Sequence, residues 1–392
     1  ELSVARTVDG GSNPSGRKLR RGWVTGSRLG RLSLADNDEG TLSGLTLDVS
    51  GRAVGDVRGV AMTADGTLLV TAGGTHEVLW LRDGNDRPLP FTQVSGGEVM
   101  DRSLATDPGR FRRIALGGRP LGIAWDASRG RAWIANRLLD AVQEVDPEGP
   151  SIVRTVWLSG EPGTAAGETE TLARRGEAIF FDAGRSLDQW YSCHTCHYEG
   201  GGNTITFDTL NDGSAGTYKT VLPLWGVTET GPWTWHGWQA DLHTSLAKSL
   251  VDSMQGPRPT DGDVAALATY LATLSSPPRP FRQADGSLSP AAERGRRLFE
   301  SDRTACTSCH AGPYLTTSEN HAVGLIRDED HFKAFSPPTL RGLHRKTRFL
   351  HNGRARSLED VLTRFHSPEQ VSGLPPLSTD EVADLKAYLQ SL

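Results

Sequence analysis

The chain reads CHTCH at residues 193–197 and CTSCH at residues 306–310. Both stretches follow the pattern C-x-x-C-H, in which two thiols three positions apart reach the two vinyl groups of one haem c. The histidine that follows is placed to bind the haem iron as its proximal ligand. The two copies use all four cysteines of the 392-residue chain, which predicts two covalently bound haem c groups. The predicted haem-binding residues are Cys193, Cys196, His197, Cys306, Cys309 and His310.

Two other kinds of site use the same residue types. A structural zinc site would require the two cysteine pairs to come together, as four thiolates or as two thiolates with two imidazoles. A thioredoxin-like dithiol usually occurs once in a chain, on a βαβ unit. The repeated pattern favours haem over both.

Composition excludes several classes of partner. The formal net charge is −5, and no basic run indicates nucleic acid or an anionic lipid surface. No apolar stretch approaches the roughly 18 residues of a transmembrane helix, so no membrane span is expected. Since bacteria attach haem c outside the cytoplasm, we expect an exported protein, periplasmic or extracellular.

Residues 1–160 contain an internal repeat of short alternating segments. GVAMTADG at residues 59–66 parallels GIAWDASRG at residues 122–130. Three further similar segments, at residues 4–11, 111–118 and 152–160, are expected to close the units. Repeats of this kind are typical of β-propeller blades, and the pattern resembles the YVTN-type propeller. About three blades are predicted, whereas propellers typically have about four to eight, and an irregular β-sandwich is the alternative.

Residues 161–392 instead predict helices and loops, arranged twice. Similar helical segments precede the two haem motifs, at residues 173–180 and 292–299. Similar helices close each half, at residues 260–271 and 379–389. The predicted fold is therefore multidomain: a β-propeller-like, partial N-terminal part (1–160) and two mainly α cytochrome c domains (161–283 and 284–392).

Several motifs outside the haem stretches resemble the bacterial di-haem cytochrome c peroxidase/MauG superfamily. They are LPLWGV at 222–227, TGPWTWHG at 230–237, SPPTLRGL at 336–343, FLHNG at 349–353 and SLEDVL at 357–362. The likeness covers roughly residues 165–392, and the preceding repeats resemble a branch that fuses a propeller to this module. It implies an oxidoreductase that reacts with hydrogen peroxide. Its electrons would come from a small redox protein or from a protein substrate being modified.

The resemblance makes the haem of His197 the peroxide-reacting one. No His or Met lies between His197 and His236, so no loop residue is available to cap this iron, and an open distal side is expected. Trp235 matches the family tryptophan that carries electrons between the haems; a core tryptophan is the alternative reading.

The family's catalytic acid–base positions differ here. They fall near Ser245 and Met254, which cannot replace a glutamine and a glutamate in proton transfer. Asp241, His243 and Asp252 are the predicted substitutes, and a solvated helix face is the alternative for all three. Met254 would instead pack on the haem or cap its iron.

The resemblance makes the haem of His310 the electron-entry haem. The family's distal-ligand position falls at Phe365, which cannot ligate iron, so the adjacent His366 is predicted as the ligand. His321 and His344 are the runners-up.

Two further residues are assigned by resemblance. Arg341 is expected to pair with a haem propionate, and His351 to form structural hydrogen bonds near the second haem. Calcium, frequent in this family, is not predicted because the matching loop at residues 346–348 is basic.

Two other functions remain open. The chain could be a non-catalytic di-haem electron carrier in which the propeller docks a partner. It could also cleave a polymer or hydrocarbon with dioxygen, as a distant branch of the superfamily does.

Overall fold

The computed structural model describes residues 2–8, 25–32, 42–93, 99–149, 151–160, 171–214 and 216–392. The chain divides into two compact units. Unit 1 comprises Glu1–Thr195 and Met254–Arg258, and unit 2 comprises Cys196–Ser253 and Pro259–Leu392. The sequence-based boundaries at residues 160 and 283 stay predictions.

The described residues of unit 1 form twelve β-strands. They are β1 (Leu2–Val8), β2 (Thr25–Leu32), β3 (Leu42–Thr46), β4 (Val57–Met62), β5 (Leu68–Ala72), β6 (Glu77–Leu81), β7 (Thr92–Gln93), β8 (Phe111–Ala115), β9 (Pro120–Asp126), β10 (Arg131–Asn136), β11 (Ala141–Asp146) and β12 (Ser151–Trp157). They form three four-stranded sheets, in the orders β1-β2-β3-β7, β4-β5-β6-β8 and β9-β10-β11-β12. All neighbouring strands are antiparallel.

The predicted repeat is present in the strands. Residues 59–66 and 122–130 each lie in the first strand of a sheet and the turn after it. Gly66 and Gly130 adopt the positive φ values of 82° and 63° that these turns require. Each sheet has the strand number of a propeller blade, but no described sheet closes on itself. A closed propeller therefore stays a prediction.

One detail of the repeat prediction is wrong. The segments at 111–118 and 152–160 supply the fourth strands β8 and β12, as expected for segments that close a unit. Of the similar segment at 4–11, residues 4–8 lie in β1 and residues 9–11 lie outside the described residues. The strand β1 contacts β4, just as β4 contacts β9, so β1 is the first strand of its sheet rather than the last. Alternating residues specify a strand, but its position in the sheet depends on distant partners.

The middle sheet is buried on both faces. In β5, Leu68 and Val70 join one apolar cluster and Leu69 joins another, because successive strand residues point to opposite faces. Likewise in β6, Leu79 faces the first cluster and Trp80 the second. The middle sheet is therefore packed between the cluster shared with the first sheet and that shared with the third.

The remaining elements are mainly short helices. The helices are α1 (Arg102–Ala105), α2 (Leu172–Phe181), α3 (Cys193–Cys196), α4 (Leu242–Lys248), α5 (Asp261–Ala272), α6 (Pro290–Phe299), α7 (Leu358–Asp360), α8 (Pro368–Ser372) and α9 (Thr379–Gln390). The π-helical turns are Ser249–Ser253 and Val361–Phe365. The 3-10 turns are Ala183–Arg185, Leu187–Gln189, Tyr198–Gly200, Val227–Glu229, Cys306–Ser308 and Leu343–Arg345. Two short strands, β13 (Thr206–Phe207) and β14 (Lys219–Thr220), pair in unit 2.

The two predicted closing helices are confirmed as α5 and α9. Each begins with a capping box, formed by Thr260 with Asp263 and by Ser378 with Glu381. In unit 2, α9 packs closely on α6, where the absence of a side chain at Gly295 admits the Asp384 carbonyl. Among the described residues, no helix has the length and apolar character required to cross a bilayer.

Candidate functional site

The first haem motif forms one helical turn. Cys193 and Cys196 are the first and last residues of α3, and residues three apart in a helix lie on the same face. Loss of hydration raises the pKa of Cys193 to about 12. Its Sγ lies 3.9 Å from the Sδ of Met254. Met254, predicted to pack on the haem or cap its iron, therefore lies beside an attachment cysteine.

The two predicted proximal histidines share one hydrogen-bonding arrangement. His197 Nδ1 lies 3.0 Å from the carbonyl oxygen of Leu222, and His310 Nδ1 lies 3.0 Å from that of Leu315. A carbonyl oxygen only accepts hydrogen bonds, so each Nδ1 carries the proton and each Nε2 keeps its lone pair. Desolvation lowers the pKa of both imidazoles to about 4, which keeps them neutral.

This arrangement fits haem c at both motifs. An iron-binding histidine requires a free ring nitrogen, with the other N–H held by an acceptor. All four cysteines are free of disulfides, so both thiols of each motif can form thioethers. The residues present can therefore hold two haems.

The surroundings of the two proximal histidines differ. For His310, desolvation lowers the pKa most, and the nearby imidazoles of His366 and His321 lower it further. Backbone hydrogen bonds oppose the effect of desolvation at both residues, with Leu222 and Gly201 at His197 and with Leu315 and Pro338 at His310. Two imidazoles thus lie within electrostatic reach of His310.

His366 has the character expected of a second ligand. It follows the π-helical turn Val361–Phe365, and its Nδ1 is buried without a hydrogen-bond partner among the described residues. Desolvation lowers its pKa, which favours the neutral, ligating form. The runner-up His321 instead lies 3.4 Å from Thr317 Oγ1 through its Nε2. The other runner-up, His344, packs against the ring of Phe281.

Trp235 is buried, and both its side chain and its backbone form hydrogen bonds. Its indole Nε1 donates to the carbonyl of Thr220 at 2.7 Å, and its own carbonyl accepts from the amide of Ser336. The ammonium of Lys346 lies 5.7 Å from the Trp235 ring centroid. The side chain is therefore rigidly oriented beside a cation.

A buried polar cluster that the sequence did not predict surrounds Asp330. Its carboxylate lies 3.1 Å from His351 Nε2 and 3.7 Å from His236 Nε2, and it accepts a hydrogen bond from Lys219. Burial alone would raise the pKa of Asp330, but the Lys219 and Arg327 hydrogen bonds lower it. His351 thus contacts Asp330, a residue 21 positions away that no motif identifies, and its place near the second haem stays a prediction.

The three predicted acid–base residues are not brought together. Asp241 is exposed and caps α4 by accepting from the Thr244 amide at 2.7 Å. His243 is exposed on α4. Asp252 pairs with Lys248 one helical turn away. The cap explains Asp241 structurally, and the catalytic role of each residue stays a prediction.

Arg341 lies in one of two equivalent turns. Its guanidinium donates to the Pro313 carbonyl and lies 4.9 Å from the Tyr314 ring centroid. Its predicted haem propionate partner is not tested by these contacts. Gly342, next in the chain, packs under Trp225, and the equivalent Gly226 packs under Tyr314, each with φ of 73°.

The chain is similar to several known proteins over somewhat more than half of its length. No protein-family model matches the sequence. The chain is 28% identical over 273 residues to hydrazine synthase subunit gamma of Kuenenia stuttgartiensis, covering 56% of this chain and 77% of that protein. It is 27% identical over 275 residues to the methylamine utilization protein MauG of Methylophilus methylotrophus, covering 56% and 82%.

A peroxidase and a solved structure extend the comparison. The cytochrome c551 peroxidase of Nitrosomonas europaea is 22% identical over 275 residues, covering 57% of this chain and 80% of the relative. The structure of Kuenenia stuttgartiensis hydrazine synthase, pressurized with 20 bar xenon, superimposes with a TM-score of 0.51 at 24% identity. It covers 58% of this chain and 89% of that chain, which shows a shared fold for that part.

Proposed function

Because the chain belongs to the MauG/di-haem cytochrome c peroxidase superfamily, we propose that it is a di-haem c oxidoreductase acting on hydrogen peroxide at the His197 site. The observation that carries the proposal is the unequal surroundings of His197 and His310. His366 follows the π-helical turn Val361–Phe365 and has a buried Nδ1 without a hydrogen-bond partner among the described residues, which supports it as a second ligand beside His310. No His or Met lies between His197 and His236, which supports an open side at the first haem.

Haem c bound at the two motifs would supply the iron chemistry of peroxide reduction and of electron exchange. In the proposal, His197 would hold the iron of the peroxide-reacting haem. His310 and His366 would hold the iron of the electron-transfer haem. The carbonyls of Leu222 and Leu315 fix the proximal rings by accepting from Nδ1.

Trp235 is proposed to carry electrons between the two haem sites. Its indole N–H donates to a backbone carbonyl, which is a poor base, so the ring would keep its proton while it gives up and regains an electron. Burial keeps the ring away from water, and its fixed orientation removes the need for reorganisation at each transfer.

Asp252 is the proposed acid–base group of the three candidates. It lies two residues before Met254, whose sulfur contacts the attachment cysteine Cys193. Its carboxylate pairs with Lys248 one helical turn away, and in the proposal it accepts the first peroxide proton. His243 and Asp241 are less suited, since both are exposed and Asp241 already caps a helix.

The proposed electron source is a small redox protein or a protein substrate outside the cytoplasm. The two haem-attachment motifs support an exported location, since bacteria attach haem c outside the cytoplasm. Arg341 would hold a propionate with guanidinium N–H groups other than the one directed to Pro313.

Peroxide consumption by site-specific variants tests the proposal. The di-haem protein, supplied with a reduced small-molecule donor, should consume peroxide. Cys193→Ser/Cys196→Ser, which removes the first attachment, should abolish consumption even with the second haem retained. The matched variant Cys306→Ser/Cys309→Ser should still react with one equivalent of peroxide but fail to turn over. Equal peroxide reactivity of both variants would overturn the assignment.

An electron-transfer subunit of a larger assembly is the second candidate function. The exposure of Asp241 and His243 favours it, because neither offers a buried acid–base group. One relative is itself described as a subunit, the gamma subunit of hydrazine synthase. A protein that exchanges electrons at both haems but leaves peroxide unchanged would support this candidate over the first.

A further inference from the structure

His194 directly follows Cys193, the first cysteine of the first haem motif, and it is buried, with 1% of its surface exposed. Its ring centroid lies 4.9 Å from that of Phe181, at the end of α2. The equivalent residue of the second motif, Thr307, is exposed. Haem attachment constrains the two cysteines and the final histidine only, so it does not explain a buried imidazole at this position.

Two charged side chains of the β-sheet part contact the His194 ring. Arg58 Nη2 lies 3.1 Å from His194 Nε2. A guanidinium group can only donate hydrogen bonds, so Nε2 is the acceptor in this contact. His194 Nδ1, on the other side of the ring, lies 3.4 Å from Asp56 Oδ1. Arg58 and Asp56 therefore flank the imidazole through its two nitrogens.

Asp56 is the centre of this cluster. Its carboxylate is 3% exposed and pairs with Arg58 Nε at 3.2 Å and with Arg119 Nη2 at 3.2 Å. The Arg119 guanidinium in turn lies 3.4 Å from the ring centroid of Phe181. A buried carboxylate is stable only when its charge is compensated, and these two arginines supply the compensation.

The cluster joins the β-sheets to the first haem motif. Asp56 immediately precedes β4, and Arg119 immediately precedes β9, so the two residues mark the first strands of two neighbouring sheets. His194 belongs to the haem-attachment turn α3. All of these side chains lie in unit 1, which includes both the three sheets and residues 171–195.

Backbone contacts reinforce the junction. The amide of Ala183 donates to the carbonyl of Gly74 at 2.9 Å, and the amide of Ala53 donates to that of Asp188 at 2.8 Å. Gly74 approaches the Ala183 side chain so closely that a Cβ at Gly74 would lie 3.2 Å from it. The segment leading to Cys193 is therefore packed on loops of the sheets before it reaches the haem motif.

We propose that His194 is a positioning residue, through which Asp56 and Arg58 of the β-sheet part hold the first haem-attachment turn and set the environment of the first haem. The inference rests on the proposed presence of haem c at this motif, but not on reaction with peroxide. It gives the β-sheet part a role inside the haem site, in addition to any docking of partners.

Two variants of Arg58 provide the test, because this side chain is 25% exposed and its replacement should be tolerated. Arg58→Gln weakens the charge compensation of Asp56, whereas Arg58→Lys keeps a cationic donor. Thr307→Ala, at the equivalent position of the second motif, is the matched control. The oxidised holoprotein is measured without peroxide, by EPR and by redox titration of each haem.

Arg58→Gln should change the EPR signal and midpoint potential of the first haem and leave the second haem unchanged. Arg58→Lys should restore most of the native values, and Thr307→Ala should leave the first haem as in the native protein. Asp56→Asn should reproduce the Arg58→Gln effect more strongly. If Asp56→Asn does not fold, the two Arg58 variants decide the question.

Unchanged signals of the first haem in Arg58→Gln would overturn the inference, as would equal shifts of both haems. Equal shifts in Arg58→Lys and Arg58→Gln would also overturn it, since a purely steric effect would not distinguish a cation from an amide. A holoprotein that is inert to peroxide but shows the selective shift would refute the proposed function and retain this inference.

Discussion

The two haem motifs have the same pattern of cysteines and histidine, yet the residue after the first cysteine is buried in one motif and exposed in the other. His194 is buried among charged residues of the β-sheet part, whereas Thr307 is exposed. At the proximal histidines the contrast concerns other imidazoles, since His366 and His321 influence His310. The repeated motif therefore specifies the cysteines and the histidine, whereas residues outside it determine the surroundings of each copy.

Replacement of His366 should have the largest effect on this contrast. His366→Ala removes the proposed second ligand, so the low-spin ferric signal of the second haem should become high-spin. EPR and optical spectra of the oxidised protein measure the change. His344→Ala, a variant of a runner-up that packs against Phe281, is the control and should keep the low-spin signal. An unchanged spectrum for His366→Ala would remove this ligand assignment.

Loss of the Trp235 indole should slow communication between the two haems. Trp235→Phe keeps an aromatic ring but is harder to oxidise, and an added barrier of about 1.4 kcal/mol already slows transfer about tenfold. Rapid-mixing spectroscopy of the half-reduced protein measures the rate. Trp238→Phe, which changes a tryptophan stacked on Phe332, should transfer electrons at the native rate. Equal rates in all three proteins would show that electrons bypass Trp235.

Acid should destabilise the buried cluster around Asp330. Burial lowers the pKa of His351 from 6.5 to about 4, so the unfolded chain binds this proton first. The free energy of unfolding should therefore be unaffected by His351 above pH 6.5 and should fall as the pH is lowered from 6.5 towards 4. The loss amounts to at most about 3 kcal/mol. Denaturant unfolding at several pH values measures this slope. His351→Gln should flatten the slope within that window, and a slope equal to the native one would exclude His351 as its source.

The equivalent glycines of the two halves should behave alike, in contrast to the haem motifs. Gly226→Ala and Gly342→Ala each place a Cβ against an aromatic ring, Tyr314 or Trp225, at a residue with φ of 73°. Each variant should lose about 1–3 kcal/mol of unfolding free energy. Gly286→Ala is the control: it has a positive φ without a close neighbour, so it separates backbone strain from the clash. A large loss for only one of the two variants would extend the asymmetry to the scaffold.

Local patterns predicted much of this molecule. The haem motifs, the repeated first strands β4 and β9, and the closing helices α5 and α9 are all specified by residues close together in the chain. Asp241 also had a local signal, since an aspartate before a helix is a common N-cap, although the resemblance favoured a catalytic reading.

The features missed by the sequence depend on distant contacts. Asp330 meets Lys219 across 111 positions, and Arg58 meets His194 across 136. An isolated aspartate or arginine carries no periodic or motif signal that would identify its partner. The segment at 4–11 was predicted to close a unit because it is similar to the sequences of β8 and β12. That prediction was wrong for a related reason, since a strand's place in a sheet is set by its neighbours.

EPR of the oxidised protein, before and after one equivalent of hydrogen peroxide, distinguishes unequal haems from equal ones. Unequal haems should give one high-spin and one low-spin ferric signal of equal intensity in the resting protein. Peroxide should change the high-spin signal first. Two low-spin signals that do not respond to peroxide would show that neither haem is the proposed peroxide site.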